Sequence, residues 1–339
     1  MTAAPLLEIT DLHITYWRRS LLGLRGKPFH AVRGASLSIR PGETLGLVGE
    51  SGSGKSSIAN AVLGLAPVSS GSIRFAGSEL AAMNARYPPS LRKRIQAVFQ
   101  DPYSSLNPAM TVEDIITEPL RVHTELTRAE RRAKAIELLQ RVSLSEEHLR
   151  RHPYQFSGGQ RQRIAIASAL ALQPEMIVLD EPVSALDVST QNQIINLLYE
   201  RREALGIAYL LIAHDLALVH HISDRIAVMY LGHIVEEGPS DRVFHAPAHP
   251  YTKALLDAVP LLDPQAQRRR RAARKSAPAP EAARVAPTGC PYRNRCPSAM
   301  KRCAEESPPA YSVAAGGVAS CFLLADARPE AASAASATA

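Results

Sequence analysis

The chain has 339 residues, 46% hydrophobic and 21% charged, enough for one full domain and a smaller appendage. No run of eighteen apolar residues is present, so no helical membrane span is expected. The first residues lack a basic segment followed by an apolar stretch, so no secretory signal is read and a cytoplasmic protein is expected. The net charge of +7 is local: between Pro264 and Cys303 eleven Arg and Lys face one acid, Glu281, and the rest sums to about −3. A basic tail on a near-neutral body argues against nucleic acid as the main partner. All four cysteines (Cys290, Cys296, Cys303, Cys321) also lie in that tail.

Residues 6–48 read as short strands, with Leu12, Ile14 and Tyr16 alternating with polar residues, and Thr44–Val48 as a buried strand entering a glycine-rich turn. A helix follows from about Lys55 to Leu63. Apolar runs at Ile95–Phe99, Met176–Leu179, Ala208–Ala213 and Ile226–Met229 alternate with helical patterns such as Thr190–Leu205. That alternation predicts an α/β sheet sandwiched by helices. Between about Asp101 and Arg163 only helical patterns occur, predicting a helical insertion. Asp263–Pro287 reads as a linker of Arg, Ala and Pro, the cysteine segment 290–321 as a folding unit of its own, and 326–339 as a disordered tail.

Gly49-Glu-Ser-Gly-Ser-Gly-Lys-Ser56 fits the phosphate-binding P-loop pattern and sits between strand and helix, as the chemistry requires. Backbone amides of Gly49, Glu50, Ser51, Gly52, Ser53, Gly54 and the helix start at Ser57 can curl around phosphate oxygens; Lys55 reaches the β- and γ-phosphates and Ser56 binds Mg²⁺. Met176-Ile-Val-Leu-Asp180-Glu181 is an apolar strand ending in two acids. Beside a P-loop, Asp180 is placed to hold the Mg²⁺ shell and Glu181 to polarise water. Ser157-Gly-Gly-Gln-Arg-Gln162 opens a helix over Arg163–Leu172, and alone would be an ordinary serine N-cap.

Taken together, these segments resemble the ATPases of ABC transporters, whose signature Ser157-Gly158-Gly159-Gln160 matches. The resemblance implies a P-loop NTPase fold: a RecA-like core with an antiparallel β subdomain and a helical subdomain, here about 101–163, within an ATPase domain 1–246. It implies that the signature of one subunit closes over the ATP of another. Gln100 resembles the Q-loop glutamine near Mg²⁺, Ser184–Asp187 the D-loop, and His214 the switch histidine. Tyr16 is expected to stack on adenine, with Trp17 and Phe29 as rivals. One departure is Ser168, where many relatives carry Arg.

Val98-Phe-Gln-Asp-Pro-Tyr-Ser-Ser-Leu-Asn-Pro108, His249-Pro-Tyr-Thr-Lys-Ala-Leu256 and the cysteine tail together resemble the oligopeptide and dipeptide importer branch, with its C-terminal extension, here 247–325. Trp17–His30 resembles a loop of the second ATPase subunit in such importers. This implies a paralogous ATPase partner, two transmembrane permeases, an extracytoplasmic binding protein, and a peripheral place on the cytoplasmic face of the membrane. Spacings of five, six and seventeen residues do not name the ligand of the cysteines; the resemblance implies a 4Fe-4S cluster, with zinc or free thiols as alternatives. A soluble ABC protein acting on DNA or ribosomes is the rival reading, and the chain lacks the paired ATPase domains or coiled-coil insertion such proteins carry.

Overall fold

The computed structural model describes residues 4–19, 25–80, 87–258 and 288–325; the expected linker 263–287 and tail 326–339 lie outside them. The chain opens with a long hairpin, β1 (Leu7–Arg19) and β2 (Arg25–Ile39), before β3 (Thr44–Val48), α1 (Lys55–Val62), β4 (Ser70–Phe75) and β5 (Ser78–Glu79). The hairpin corrects two expectations. Its strands are long rather than short, and Trp17–His30 is mostly ladder rather than loop: Tyr16 pairs with Phe29 and Trp17 with Pro28. The apolar alternation behind the expectation is broken by register shifts at Ile9/Leu12 and Ile14/Thr15, which interrupt the period-two signal without ending the strand.

After α2 (Pro89–Arg94) and β6 (Ile95–Val98) come the helices α3 (Pro102–Ser105), α4 (Val112–His123), α5 (Arg128–Arg141) and α6 (Gly158–Leu170). Thr111 with Asp114 and Thr127 with Glu130 form capping boxes that start α4 and α5. Ser168, the departure noted above, donates from its Oγ to the Ile115 carbonyl at 3.2 Å and so ties α6 to α4. The α/β core then continues through β7 (Met176–Asp180), α7 (Val188–Leu205), β8 (Ala208–Ala213), α8 (Leu216–Ile222), β9 (Arg225–Tyr230), β10 (His233–Pro239), α9 (Ser240–His245) and α10 (Pro250–Ala258). A short α11 (Arg302–Glu305) precedes β11 (Tyr311–Ser312) and β12 (Val318–Ala319).

Among the described residues two sheets form: antiparallel β2-β1-β4-β5, and an eight-stranded sheet β11-β12-β10-β9-β3-β8-β7-β6. Strands β9, β3, β8, β7 and β6 are mutually parallel. Both faces of this parallel block are covered, which is why β3 and β8 are continuous apolar runs buried at every position. On β8, Tyr209, Leu211 and Ala213 point to the core shared with the helical insertion, and Ala208, Leu210 and Ile212 to the core shared with the antiparallel sheet and α1.

The cysteine segment is not a separate folding unit. β12 pairs with β10, placing Ala319 opposite Glu236 and Val318 opposite Glu237, while Cys290, Tyr292, Cys303 and Phe322 join the main core. Strand β10 would otherwise end the sheet as an unpaired edge, and the tail covers it. The same edge holds a buried ion pair: Glu236 accepts from Arg242 and from the backbone N–H groups of Ala248 (2.8 Å) and His249 (2.9 Å). With its lone pairs satisfied, this buried carboxylate fixes where the chain turns into α10.

Candidate active site

The P-loop spans the turn from β3 into α1. At Gly54 φ is +111°, and a Cβ there would lie 2.3 Å from the Ala31 carbonyl oxygen; at Gly49 it would lie 2.1 Å from that of Met229. Only glycine lets the loop pass this close to the neighbouring backbone. Lys55 is buried, its Nζ donating to the carbonyls of Gly49 (2.8 Å) and Glu50 (3.0 Å). Burial lowers its pKa, opposed by the carboxylates of Glu181, Asp180 and Glu50.

The end of β7 lies opposite. Ser56 Oγ donates to Asp180 Oδ1 at 3.2 Å, and burial pushes the Asp180 carboxyl upward, with Ser56 pulling it down and the Glu181 charge adding to the rise. Glu181 has φ +47°, a left-handed conformation that costs a non-glycine residue about 1–2 kcal/mol. The bond from its N–H to the Ile212 carbonyl (2.9 Å) helps hold that conformation. Its carboxylate is the meeting point of three elements: Gln100 Nε2 donates to Oε2 at 2.9 Å, and His214 Nδ1 lies 3.5 Å from the same oxygen. Ser51, Gly52, Gly54, Lys55, Ser56, Ser57, Gln100, Glu181 and His214 surround one cavity of about 380 Å³. Two hard oxygens at Ser56 and Asp180, a buried ammonium and a carboxylate between an amide and an imidazole form a donor set suited to a Mg²⁺ nucleotide.

The remaining expected residues are distributed differently. The aromatic wall of the cavity is Phe29, with Ala31, and not Tyr16. Tyr16, across the ladder from Phe29, packs partly buried against the core instead. Ser157 is the N-cap of α6: its Oγ accepts from Gln160 N at 3.3 Å and its N–H donates to Gln160 Oε1 at 3.1 Å. The helix thus begins at Gly158, five residues before the expected Arg163. A Cβ on Gly159 would come within 2.3 Å of Thr190 Cγ2, so glycine lets α6 approach α7. Ser157, Gly158, Gly159 and Gln160 do not line the P-loop cavity. Asp187 caps α7 from the D-loop, and hydrogen bonds from Ser189 and Thr190 hold its carboxyl below the usual range.

Two contacts had no signal in the sequence. Glu50 of the P-loop receives both guanidinium nitrogens of Arg295, at 2.8 and 2.9 Å, and its N–H donates to Tyr251 Oη at 2.9 Å. The cysteines converge as well. Cys290, Cys303 and Cys321 are buried and Cys296 partly so, and burial raises the Cys290 thiol to about 11, with the other three sulfurs contributing.

Comparison with known proteins places these features. The ABC transporter family model matches residues 32–184, and the model for the C-terminal region of oligopeptide/dipeptide transporters matches 235–303. The putative oligopeptide transport ATP-binding protein YkfD of Bacillus subtilis is 43% identical over 324 residues, 95% of this chain and 97% of that protein. The oligopeptide transport ATP-binding protein OppF of Salmonella typhimurium is 46% identical over 307 residues, 89% and 92% of the two chains. Among solved structures, the ATP-binding cassette MJ0796, a post-hydrolysis dimer bound to ADP and Pi, superposes with a TM-score of 0.60 at 29% identity, covering 69% of this chain and 98% of that one. The cbiO1 subunit of the cbiONQ transporter from Clostridium perfringens gives 0.61 at 29% identity, covering 71% and 91%. With its P-loop and acidic strand end around one cavity and its tail matched by the second model, the chain belongs to the ATP-hydrolysing subunits of ABC transporters, in their oligopeptide/dipeptide branch.

Proposed function

We propose that this ATPase energises the uptake of peptides through separate permease subunits, and that its hydrolytic centre is the Glu181 carboxylate. The convergence of Gln100 and His214 on Glu181, across a cavity from Lys55, carries this reading. P-loop amides from Ser51 to Ser57 and the Lys55 ammonium bind the phosphates. Gln100 fixes the orientation of Glu181, which accepts a proton from the attacking water, and His214 at 60% side-chain exposure faces the γ-phosphate. Held at Ser56, Asp180 and Gln100, Mg²⁺ would supply positive charge to the β- and γ-phosphate oxygens. Phe29, more than Tyr16, is the ring available to adenine.

Because Ser157–Gln160 stands outside the cavity, this signature serves the nucleotide of a second ATPase subunit, a paralogue in the heterodimer we infer. The assembly we propose adds two permeases and an extracytoplasmic binding protein, at the cytoplasmic face of the membrane and without nucleic acid. The functional division is an ATPase domain at 1–246 and an extension at 247–325. Cys290, Cys296, Cys303 and Cys321 would hold a 4Fe-4S cluster, which supplies a structural staple. Four thiols gathered in one segment, three of them buried, with Cys290 and Cys303 in the main core, are a donor set that fits such a cluster.

Coexpression with two candidate permease subunits and a paralogous ATPase tests the proposal. A complex whose ATP hydrolysis rises with peptide-loaded binding protein is expected; copurification with nucleic acid instead would overturn it. Protein isolated without oxygen is expected to be brown with about four irons per chain. One zinc per chain, or four titratable thiols, would refute the cluster.

A further inference from the structure

Glu50 is held from three directions. Its carboxylate receives Arg295, its N–H donates to Tyr251, and its carbonyl accepts from the Nζ of Lys55 at 3.0 Å. The first two partners belong to the C-terminal extension, 245 and 201 residues away in sequence. Arg295 is not a loose surface cation, for its side chain is 20% exposed. It ends a short 3₁₀ turn, Arg293–Arg295, set between Cys290 and Cys296 and closed by bonds from Arg295 N to the Tyr292 carbonyl and from Cys296 N to that of Arg293. Beside it the rings of Tyr230, Tyr251 and Tyr292 pack tilted or edge-on with centroids 4.5–5.3 Å apart, and its guanidinium lies 5.8 Å from the centroid of the Tyr230 ring.

We infer that Arg295 is a positioning residue for the P-loop, through which the fold of the cysteine segment sets the nucleotide affinity of this site. The inference rests on reading residues 49–56 as the phosphate site. Two physical effects act together. Glu50 belongs to the phosphate loop itself, its carbonyl 3.0 Å from the Lys55 Nζ, so an unpaired Glu50 carboxylate would repel the polyphosphate; Arg295 neutralises it. The fork geometry also fixes the Glu50 backbone, and with it a carbonyl that holds Lys55. Loosening the cysteine segment would release the turn that aims Arg295, and both effects would be lost.

Equilibrium binding of a fluorescent ATP analogue to the full-length chain, with hydrogen exchange of P-loop amides as a second readout, provides the test. Arg295→Ala is expected to weaken binding by about two- to fivefold, the range for a partly exposed charge pair. It should also speed exchange at residues 50–55. Adding Glu50→Gln to Arg295→Ala should recover the electrostatic part of the lost affinity, because the unpaired charge is gone, while exchange stays fast; a purely structural role for Arg295 would give no recovery of affinity. Cys296→Ser should weaken binding by the same factor as Arg295→Ala and add nothing in the Arg295→Ala background. Unchanged affinity and exchange in Arg295→Ala would overturn the inference, and additive losses would overturn the link to the cysteines. Lys55→Ala separates the two claims: if that variant still binds the analogue, the phosphate-site reading fails, while the exchange response to Arg295→Ala still reports on the contact.

Discussion

Acidification should unfasten the extension at His249. This ring is buried, its Nδ1 accepts from the Tyr251 N–H at 3.0 Å, and burial lowers its pKa to about 4. The unfolded chain, near 6.5, binds the proton first as pH falls, so the folded state loses stability between 6.5 and 4 and keeps it above 6.5. Linkage between these two values gives a loss of about 2 kcal/mol from pH 7 to pH 5 for this one residue. His233, also lowered to about 4 by burial, adds a similar loss in the same window. Nearby Glu236 cannot offset the imidazolium freely, since its carboxylate is already engaged by Arg242 and two backbone N–H groups. Urea unfolding at pH 7, 6 and 5 measures the slope. His249→Gln should be less stable at pH 7 but lose about 2 kcal/mol less than wild type on acidification to pH 5. An unchanged slope in that variant would refute the reasoning.

Lys55→Ala should abolish measurable ATP binding by calorimetry while leaving the melting curve near that of wild type, since the buried ammonium is itself costly; retained affinity would contradict its role at the phosphates. Ser157→Arg should halt hydrolysis at the site whose P-loop belongs to the partner, yet leave this chain's own nucleotide binding intact, as read by equilibrium dialysis. Gly159→Ala should destabilise the fold by about 1–3 kcal/mol through its clash with Thr190 Cγ2. Thr190→Ser removes that methyl while keeping the hydroxyl bonded to Asp187, so the double variant should melt close to wild type.

The chemistry-bearing segments were legible because each is local: a buried strand, a turn and a helix start at Thr44–Val62, or an apolar strand ending in Asp180 and Glu181. Such patterns depend on backbone geometry within a dozen residues, and the structure places these segments around one cavity. What the sequence could not convey is where distant surfaces meet. Glu50 and Arg295 carry no mutual signal, and Tyr251 enters the sequence reading only as part of the His249–Leu256 segment. The choice between Tyr16 and Phe29 turns on which ring borders the cavity and which packs on the core, a tertiary fact that local alternation does not carry. The tail reads as independent because its linker is so polar, but its docking is driven by an open edge at β10, which only the assembled sheet reveals.

Hydrolysis centres on Glu181. Gln100 can still bond to an amide oxygen at that position, and Gln keeps the backbone and shape, so Glu181→Gln removes the proton acceptor and little else. Steady-state ATP hydrolysis by the assembled transporter, set beside the ATP dissociation constant of the same preparation, is the direct measurement. Unchanged affinity is expected, with a fall in turnover of about a hundredfold or more, equivalent to about 3 kcal/mol or more of transition-state stabilisation. Turnover within about threefold of wild type, with ATP still bound, would contradict it.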